Sequence, residues 1–107
     1  MEINQYEVLL VYLDPTIGSE IKKTRPCLII SPDEINHNLQ TVIVAPMATK
    51  SHKYPTRVKV KFSNQTGWVI LDQVRTIDKQ RVIKKLGQLG PSEINECKKI
   101  LKETFVD

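Results

Sequence analysis

The chain of 107 residues holds only two histidines and two cysteines, and this scarcity argues against most metal chemistry. His37 and His52 stand in no HxxxH or HxE arrangement, and Cys27 and Cys97 form no CxxC pair, so the ligand spacings of zinc sites are missing. Two thiols so far apart in sequence read as small core residues rather than as a disulfide framework. No GxSxG elbow presents a serine nucleophile. The GxGxxG and GxxxxGK patterns are absent, and so is the βαβ alternation of a nucleotide-binding fold. Paired carboxylates are lacking as well, since Asp33 and Glu34 read as a turn that ends a strand. Apolar runs are short. VLLVYL at 8–13 falls far below the roughly 20 residues that span a bilayer. The opening MEINQYEV has neither a basic nor an apolar leader region. The expectation is a cytoplasmic protein without a membrane segment. There are no repeats, low-complexity tracts or linkers, and the length predicts one domain over 1–107. A domain of this size gains stability by forming oligomers.

Positive charge is what the sequence does have. Sixteen basic residues against twelve acidic ones leave +4, a mild excess that suits an anionic partner without naming one. The distribution is more informative. Lys50, Lys53, Arg57, Lys59 and Lys61 crowd one segment with no acid among them. Lys22, Lys23 and Arg25 form a second group, and Arg75, Lys79, Arg81, Lys84 and Lys85 a third around Asp78. Each cluster by itself also fits a solvated strand edge, where lysine discourages edge-to-edge pairing.

The pattern of elements is many short strands followed by one helix. EVLLVYL at 7–13 reads as a buried strand, and DPTIGS after it as turn chemistry. A second strand is expected over 26–31, with Pro26 at its first position, where no ladder donor is needed. After a polar connection with a helical turn, a third strand covers 41–47. Residues 57–62 alternate cleanly, with Val58, Val60 and Phe62 on one face and Arg57, Lys59 and Lys61 on the other. A turn is expected over 64–67, strands over 68–71 and 85–89, an extended stretch with a bend over 72–77, and a helical turn over 78–82. Pro91 and Glu93 open a C-terminal helix. It sets Ile94, Cys97, Ile100, Leu101 and Phe105 on one face, as a lid on the core or part of a subunit contact. The predicted class is mainly β (α+β), a small antiparallel barrel or strongly twisted sheet with a helix packed on it.

Two polar loops stand out. TIGSEIKKTR precedes the second strand and ATKSHKYPT follows the third. If these strands are antiparallel, both loops flank one end of the sheet. They then offer Ser19, Glu20, Lys22, Lys23, Thr24, Arg25, Thr49, Lys50, Ser51, His52 and Tyr54 to one surface. Cations, hydroxyls and a stacking ring suit a phosphodiester of single-stranded RNA, and a guanidinium matches phosphate oxygens. RNA carries its own nucleophile in the 2′-OH. Cleavage therefore needs a base, an acid for the leaving 5′-oxygen and donors for the charge on the phosphorus-bound oxygens. No metal or other cofactor is required. Glu20 or His52 is placed to act as base, and Arg25 to hold the phosphate.

The stretches LDPTIGSEIKKTRPCLIIS, VIVAPMATKSHKYPTRV and GWVILDQVRTIDKQR resemble the MazF/PemK (Kid) family of toxin endoribonucleases, from about Tyr6 to the C-terminal helix. DPTxGSE, then RP, then DQxRTID recur in the family's order and spacing. The resemblance implies an SH3-like barrel that works as a homodimer and cuts single-stranded RNA at a short sequence. It implies 2′,3′-cyclic phosphate and 5′-hydroxyl ends, no metal, and a MazE-like antitoxin with an acidic segment in the RNA groove. It places the family's key arginine on Arg25 and the acid of its GSE segment on Glu20, while a histidine that some members carry is Ser19 here. The usual catalytic threonine falls on Ala48, which has no hydroxyl to donate, and Thr49 follows it. Asp72 and its neighbour Gln73 fall in a segment functional in some members, where an accompanying arginine is replaced by Ile70. Asp72 equally suits a purely local role shaping the turn. Two further readings stay open on the same fold: a non-catalytic RNA binder, suggested by Ala48, and a gyrase poison of the CcdB kind.

Overall fold

A computed structural model of the chain describes residues 1–13 and 23–106. Its strands are β1 (Glu7–Leu13), β2 (Lys23–Ile29), β3 (Thr41–Ala48), β4 (Arg57–Phe62), β5 (Gln65–Ile70), β6 (Arg75–Asp78) and β7 (Val82–Gln88). Its helices are a single turn, α1 (Asp33–Asn36), and the long α2 (Pro91–Phe105). All pairings are antiparallel, in the order β4-β5-β3-β2-β1-β7, with β6 added to β3. β3 is the pivot: it pairs with β2 through Val44–Pro46, with β6 through Thr41–Val44 and with β5 through Met47 and Ala48. The strands curl into a half-barrel closed at one end by α2. The mainly β class with a C-terminal helix is therefore as the strand pattern predicts.

The central strands read as unbroken apolar runs because both of their faces are covered. Successive side chains point to opposite faces, and two core clusters divide them accordingly. Val8, Leu28, Ala45 and Met47 join Val58, Val60, Val69 and Leu71 in one cluster, to which α2 contributes Cys97. Leu9, Val11, Cys27, Ile29, Val42 and Val44 form the other cluster with Ile3 and Ile77. Burying one such aliphatic side chain contributes about 1.5–3 kcal/mol. β4 has only one covered face, so its alternation is clean, with Val58 and Val60 buried and Lys59 and Lys61 exposed.

Several boundaries differ from expectation, for physical reasons. β2 begins at Lys23, so Pro26 lies inside the strand, opposite Leu10 of β1. It is tolerated because the ladder with β3 starts only at Cys27, opposite Pro46. Both prolines lack an N–H, and they sit where that ladder ends. The expected turn over 64–67 is a two-residue turn at Ser63 and Asn64, and Gln65, Thr66 and Gly67 already belong to β5. Ser63 (φ 52°) and Asn64 (φ 61°) are both left-handed, the backbone that matches the twist of a tight hairpin. The stretch from residue 71 opens with a 3₁₀ turn (Leu71–Gln73) before β6, and a second 3₁₀ turn (Lys79–Arg81) precedes β7.

α2 begins where Pro91 and Glu93 place it. The Glu93 carboxylate accepts the Gly90 N–H at 3.3 Å and the Lys61 N–H at 2.7 Å, so one side chain caps the helix and ties it to β4. Ile94, Cys97, Ile100 and Leu101 pack on the core as predicted. Phe105 does not: it is 57% exposed, and it takes no part in either core cluster. Both cysteines are free and fully buried, and burial pushes each thiol up to about 12. Glu93 and Glu96 add to the effect at Cys97, while Arg75 and Arg25 oppose it at Cys27. No helix among the described residues is long and apolar enough to cross a membrane.

Candidate functional site

β2 and β3 run antiparallel, so the start of one and the end of the other lie together, as the two-loop expectation requires. Cys27 faces Pro46. Arg25 lies two residues before Cys27 and Ala48 two residues after Pro46, just past the point where the β2–β3 ladder ends and β3 turns to β5. Both line the same two depressions in the surface. Arg25 and Thr24 are exposed, and among the described residues no carboxylate pairs with the Arg25 guanidinium. Ala48 is half-buried and Thr49, next to it, is exposed.

The larger depression, about 510 Å³, is polar and cationic. Lys50, Ser51, His52, Arg57 and Gln73 line it together with Arg25. The smaller, about 210 Å³, lies between the start of β2 and the β4–β5 hairpin, and Thr49 stands on its rim. A third, on the far side of the 49–56 loop, faces α2 and takes Lys53, Tyr54 and Trp68 into its walls. The fold thus gathers Thr24, Arg25, Thr49, Lys50, Ser51, His52 and Gln73 around the two depressions on either side of Arg25, and sets Tyr54 behind the loop. Ser19, Glu20 and Lys22, and the side chain of Lys23, lie outside the described residues.

One residue missed in the sequence holds this loop in place. The Arg57 guanidinium donates to both Asp72 carboxylate oxygens, at 3.1 and 3.2 Å, and to the Ser51 hydroxyl at 2.9 Å. It also lies over the Tyr54 ring, 4.7 Å from its centre, and that ring meets His52 edge-on at 6.2 Å. Thr56 donates its hydroxyl to Asp72 at 3.0 Å. The bond from Arg57 is the main reason the Asp72 carboxyl sits below its usual range; partial burial works against it and Thr56 assists. Asp72 in turn holds the Arg57 guanidinium above its usual value. The alternation of 57–62 had assigned Arg57 to a plain solvent face. Its partner comes from the register: Arg57 lies opposite Ile70 across the β4–β5 ladder, two residues from Asp72.

His37 is no part of this surface. Its ring bonds to Asn4 at 2.9 Å and lies 4.0 Å from Asp33, beside α1. Among the described residues, no three His, Cys, Asp or Glu side chains cluster closely enough to hold a metal ion.

A family model described as a PemK-like, MazF-like toxin of type II toxin-antitoxin systems matches residues 4–105. The chain belongs to this family. Among curated MazF relatives, the endoribonuclease MazF of Staphylococcus saprophyticus is 35% identical over 96 residues, 84% of this chain and 80% of the relative. The Mycobacterium tuberculosis toxin MazF-mt6 superposes with a TM-score of 0.78 at 25% identity, covering 94% of this chain and 96% of that one. A mycobacterial endoribonuclease solved with its cognate antitoxin gives 0.81 at 23% identity, over 97% and 95% of the two chains. The MazE–MazF structure from Deinococcus radiodurans gives 0.83 at 19% identity, over 99% and 97%. These last two carry the likeness of fold: a MazF-type curled sheet with its terminal helix, the barrel that the resemblance implied.

Proposed function

We propose that this MazF/PemK-family toxin is a metal-independent, sequence-selective endoribonuclease acting on single-stranded RNA. The observation that carries the reading is the junction itself: an exposed arginine without an acidic partner among the described residues, beside a hydroxyl-bearing, cationic loop. Arg25 holds the scissile phosphate in two parallel hydrogen bonds. The 2′-oxygen attacks the adjacent phosphorus, its proton passes to Glu20 or His52, and the P–O5′ bond breaks as the 5′-oxygen is protonated. A 2′,3′-cyclic phosphate and a 5′-hydroxyl remain. Thr49 donates its hydroxyl to the charged phosphoryl oxygens in place of the hydroxyl that Ala48 lacks. Lys50, Ser51, His52 and Gln73 guide the strand on one side; Ser19, Lys22, Lys23 and Thr24 complete the RNA surface, and Tyr54 and Asp72 support it indirectly by holding Arg57.

The whole chain acts as one domain in the cytoplasm, as a homodimer. A MazE-like antitoxin with an acidic segment covers the same groove, in keeping with the antitoxin-bound relatives and the basic surface. The test is digestion of single-stranded RNA by purified protein in EDTA, with the ends sequenced. Cyclic-phosphate ends at a short motif are expected. Arg25→Ala should cut at least about 10²-fold more slowly, the usual cost of losing one preorganised donor. Uncut RNA, or equal cutting by the variant, overturns the reading. One observation favours RNA retention without cleavage, the methyl of Ala48 beside Arg25; binding without product in the same assay would establish that instead.

A further inference from the structure

We propose that the smaller depression, between the start of β2 and the β4–β5 hairpin, is a nucleobase pocket in which Gln65 and Thr66 read the base next to the cut. This rests on the reading that Arg25 holds the scissile phosphate. Arg25 and Ala48 line both depressions, so a phosphate seated on Arg25 has one on either side. The nucleotides joined by that phosphate direct one base to each side of it.

The two depressions differ in chemistry. The larger one presents Lys50, His52 and Arg57, which suits the charged backbone. The smaller has Pro26, Met47 and Phe62 for walls, and among the described residues Arg25 is the only charged one in its lining. Its rim carries Thr24, Thr49, Gln65 and Thr66. Apolar walls beneath a polar rim suit an uncharged planar ring with a hydrogen-bonding edge. At about 210 Å³, it is smaller than the roughly 300–1,000 Å³ of drug-sized ligand sites, and takes one base rather than two. A glutamine amide both donates and accepts, so it can tell bases apart by their edges, and the Thr66 hydroxyl adds a second contact.

The pocket is built open and held rigid. At Gly67 a Cβ would come within 3.1 Å of the Ala48 carbonyl oxygen, so the missing side chain lets β5 close on β3 without filling the floor. Phe62 is seated against Gly87 of β7, whose φ of +147° favours glycine and whose added Cβ would lie 3.3 Å from the ring. Gln65 is the first residue after the tight Ser63–Asn64 turn and pairs with Phe62. The backbone of the reading residue is therefore set by a short hairpin and not by a long loop.

The test sequences the ends left from a random single-stranded RNA pool by the full chain and by Gln65→Ala and Thr66→Val. Melting curves confirm that both variants fold. Wild type should discriminate strongly at one position flanking the cut. Each variant should lose about 10-fold or more of that discrimination, with preferences elsewhere unchanged. Profiles identical to wild type, or an even loss across all positions, overturn the pocket while leaving the nuclease reading intact. If wild type leaves the pool uncut, the nuclease reading fails, and binding of the four single-stranded homopolymer oligonucleotides decides the pocket. A preference lost in Gln65→Ala supports it, and equal affinities for wild type and variant overturn it.

Discussion

Arg25 and Thr49 are neighbours only because the β2–β3 register brings Pro46 opposite Cys27. If Thr49 supplies the hydroxyl at the phosphate, Thr49→Ala should lower kcat by about 10²-fold. Thr49→Ser should keep most of the rate, and both should melt like wild type, since Thr49 is exposed. Adding Ala48→Thr to Thr49→Ala should restore cleavage; steady-state kinetics on a short oligoribonucleotide would decide. A second residue-scale consequence concerns Asn36. It is buried, donates to the Ser31 carbonyl at 2.8 Å and accepts from the Ser31 hydroxyl, which in turn receives the Ile43 N–H at 3.0 Å. Asn36→Ala orphans this buried group and should cost about 1–3 kcal/mol, read as a lower urea midpoint with an unchanged m-value. At the same scale, the two thiols are buried and raised to about 12. A thiol reagent at neutral pH should label neither cysteine in the native protein and both after denaturation.

At the scale of elements, the Arg57–Asp72 pair clamps the 49–56 loop to the 3₁₀ turn that follows β5. The Asp72 carboxyl is held below its ordinary value, chiefly by the bond from Arg57. Its contribution is therefore complete above the usual Asp pKa, near 3.9, and disappears as pH falls through the lowered native value. Trp68, the single tryptophan, lines the depression that Arg57 and Tyr54 share with α2. Its fluorescence should change in that acid window while far-UV dichroism stays constant. Asp72→Asn should show the released spectrum already at neutral pH and no acid step. A wild-type spectrum in that variant would mean that the clamp does not hold the loop. Much of this level was legible in the sequence. Alternation marked β4, the apolar runs marked β1 to β3, and Pro91 with Glu93 marked the start of α2. The hairpin turn was misplaced by a residue or two because Gly67 looked like a turn glycine. In the fold its missing side chain serves close packing against Ala48, and Asn64 takes the left-handed backbone.

For the whole molecule, charge decides how RNA is held. The net charge of +4 is modest, but Arg25, Lys50 and Arg57 converge on one depression. Arg57 is already paired with Asp72; if Arg25 and Lys50 each neutralise one phosphate, the slope of log affinity against log salt for a single strand is about −1.4. Removing Lys50 as Lys50→Gln should flatten it by about 0.7 without altering the cleavage motif. Fluorescence anisotropy across a salt series with a non-cleavable, deoxy-substituted oligonucleotide measures both. A changed motif would place Lys50 among the base-reading residues instead.

The order of the motifs, the antiparallel mainly β class and the terminal helix were all determined by the sequence alone. They follow from local rules: periodicity reports which faces are buried, and proline and glycine report where the backbone turns. The partnership of Arg57 with Asp72, the position of Tyr54 behind its loop, and the pocket between Pro26, Phe62 and Gln65 were decided only by the tertiary structure. These depend on the register between strands far apart in the chain. Nothing in the spacing along one strand records which residue of another will lie opposite it.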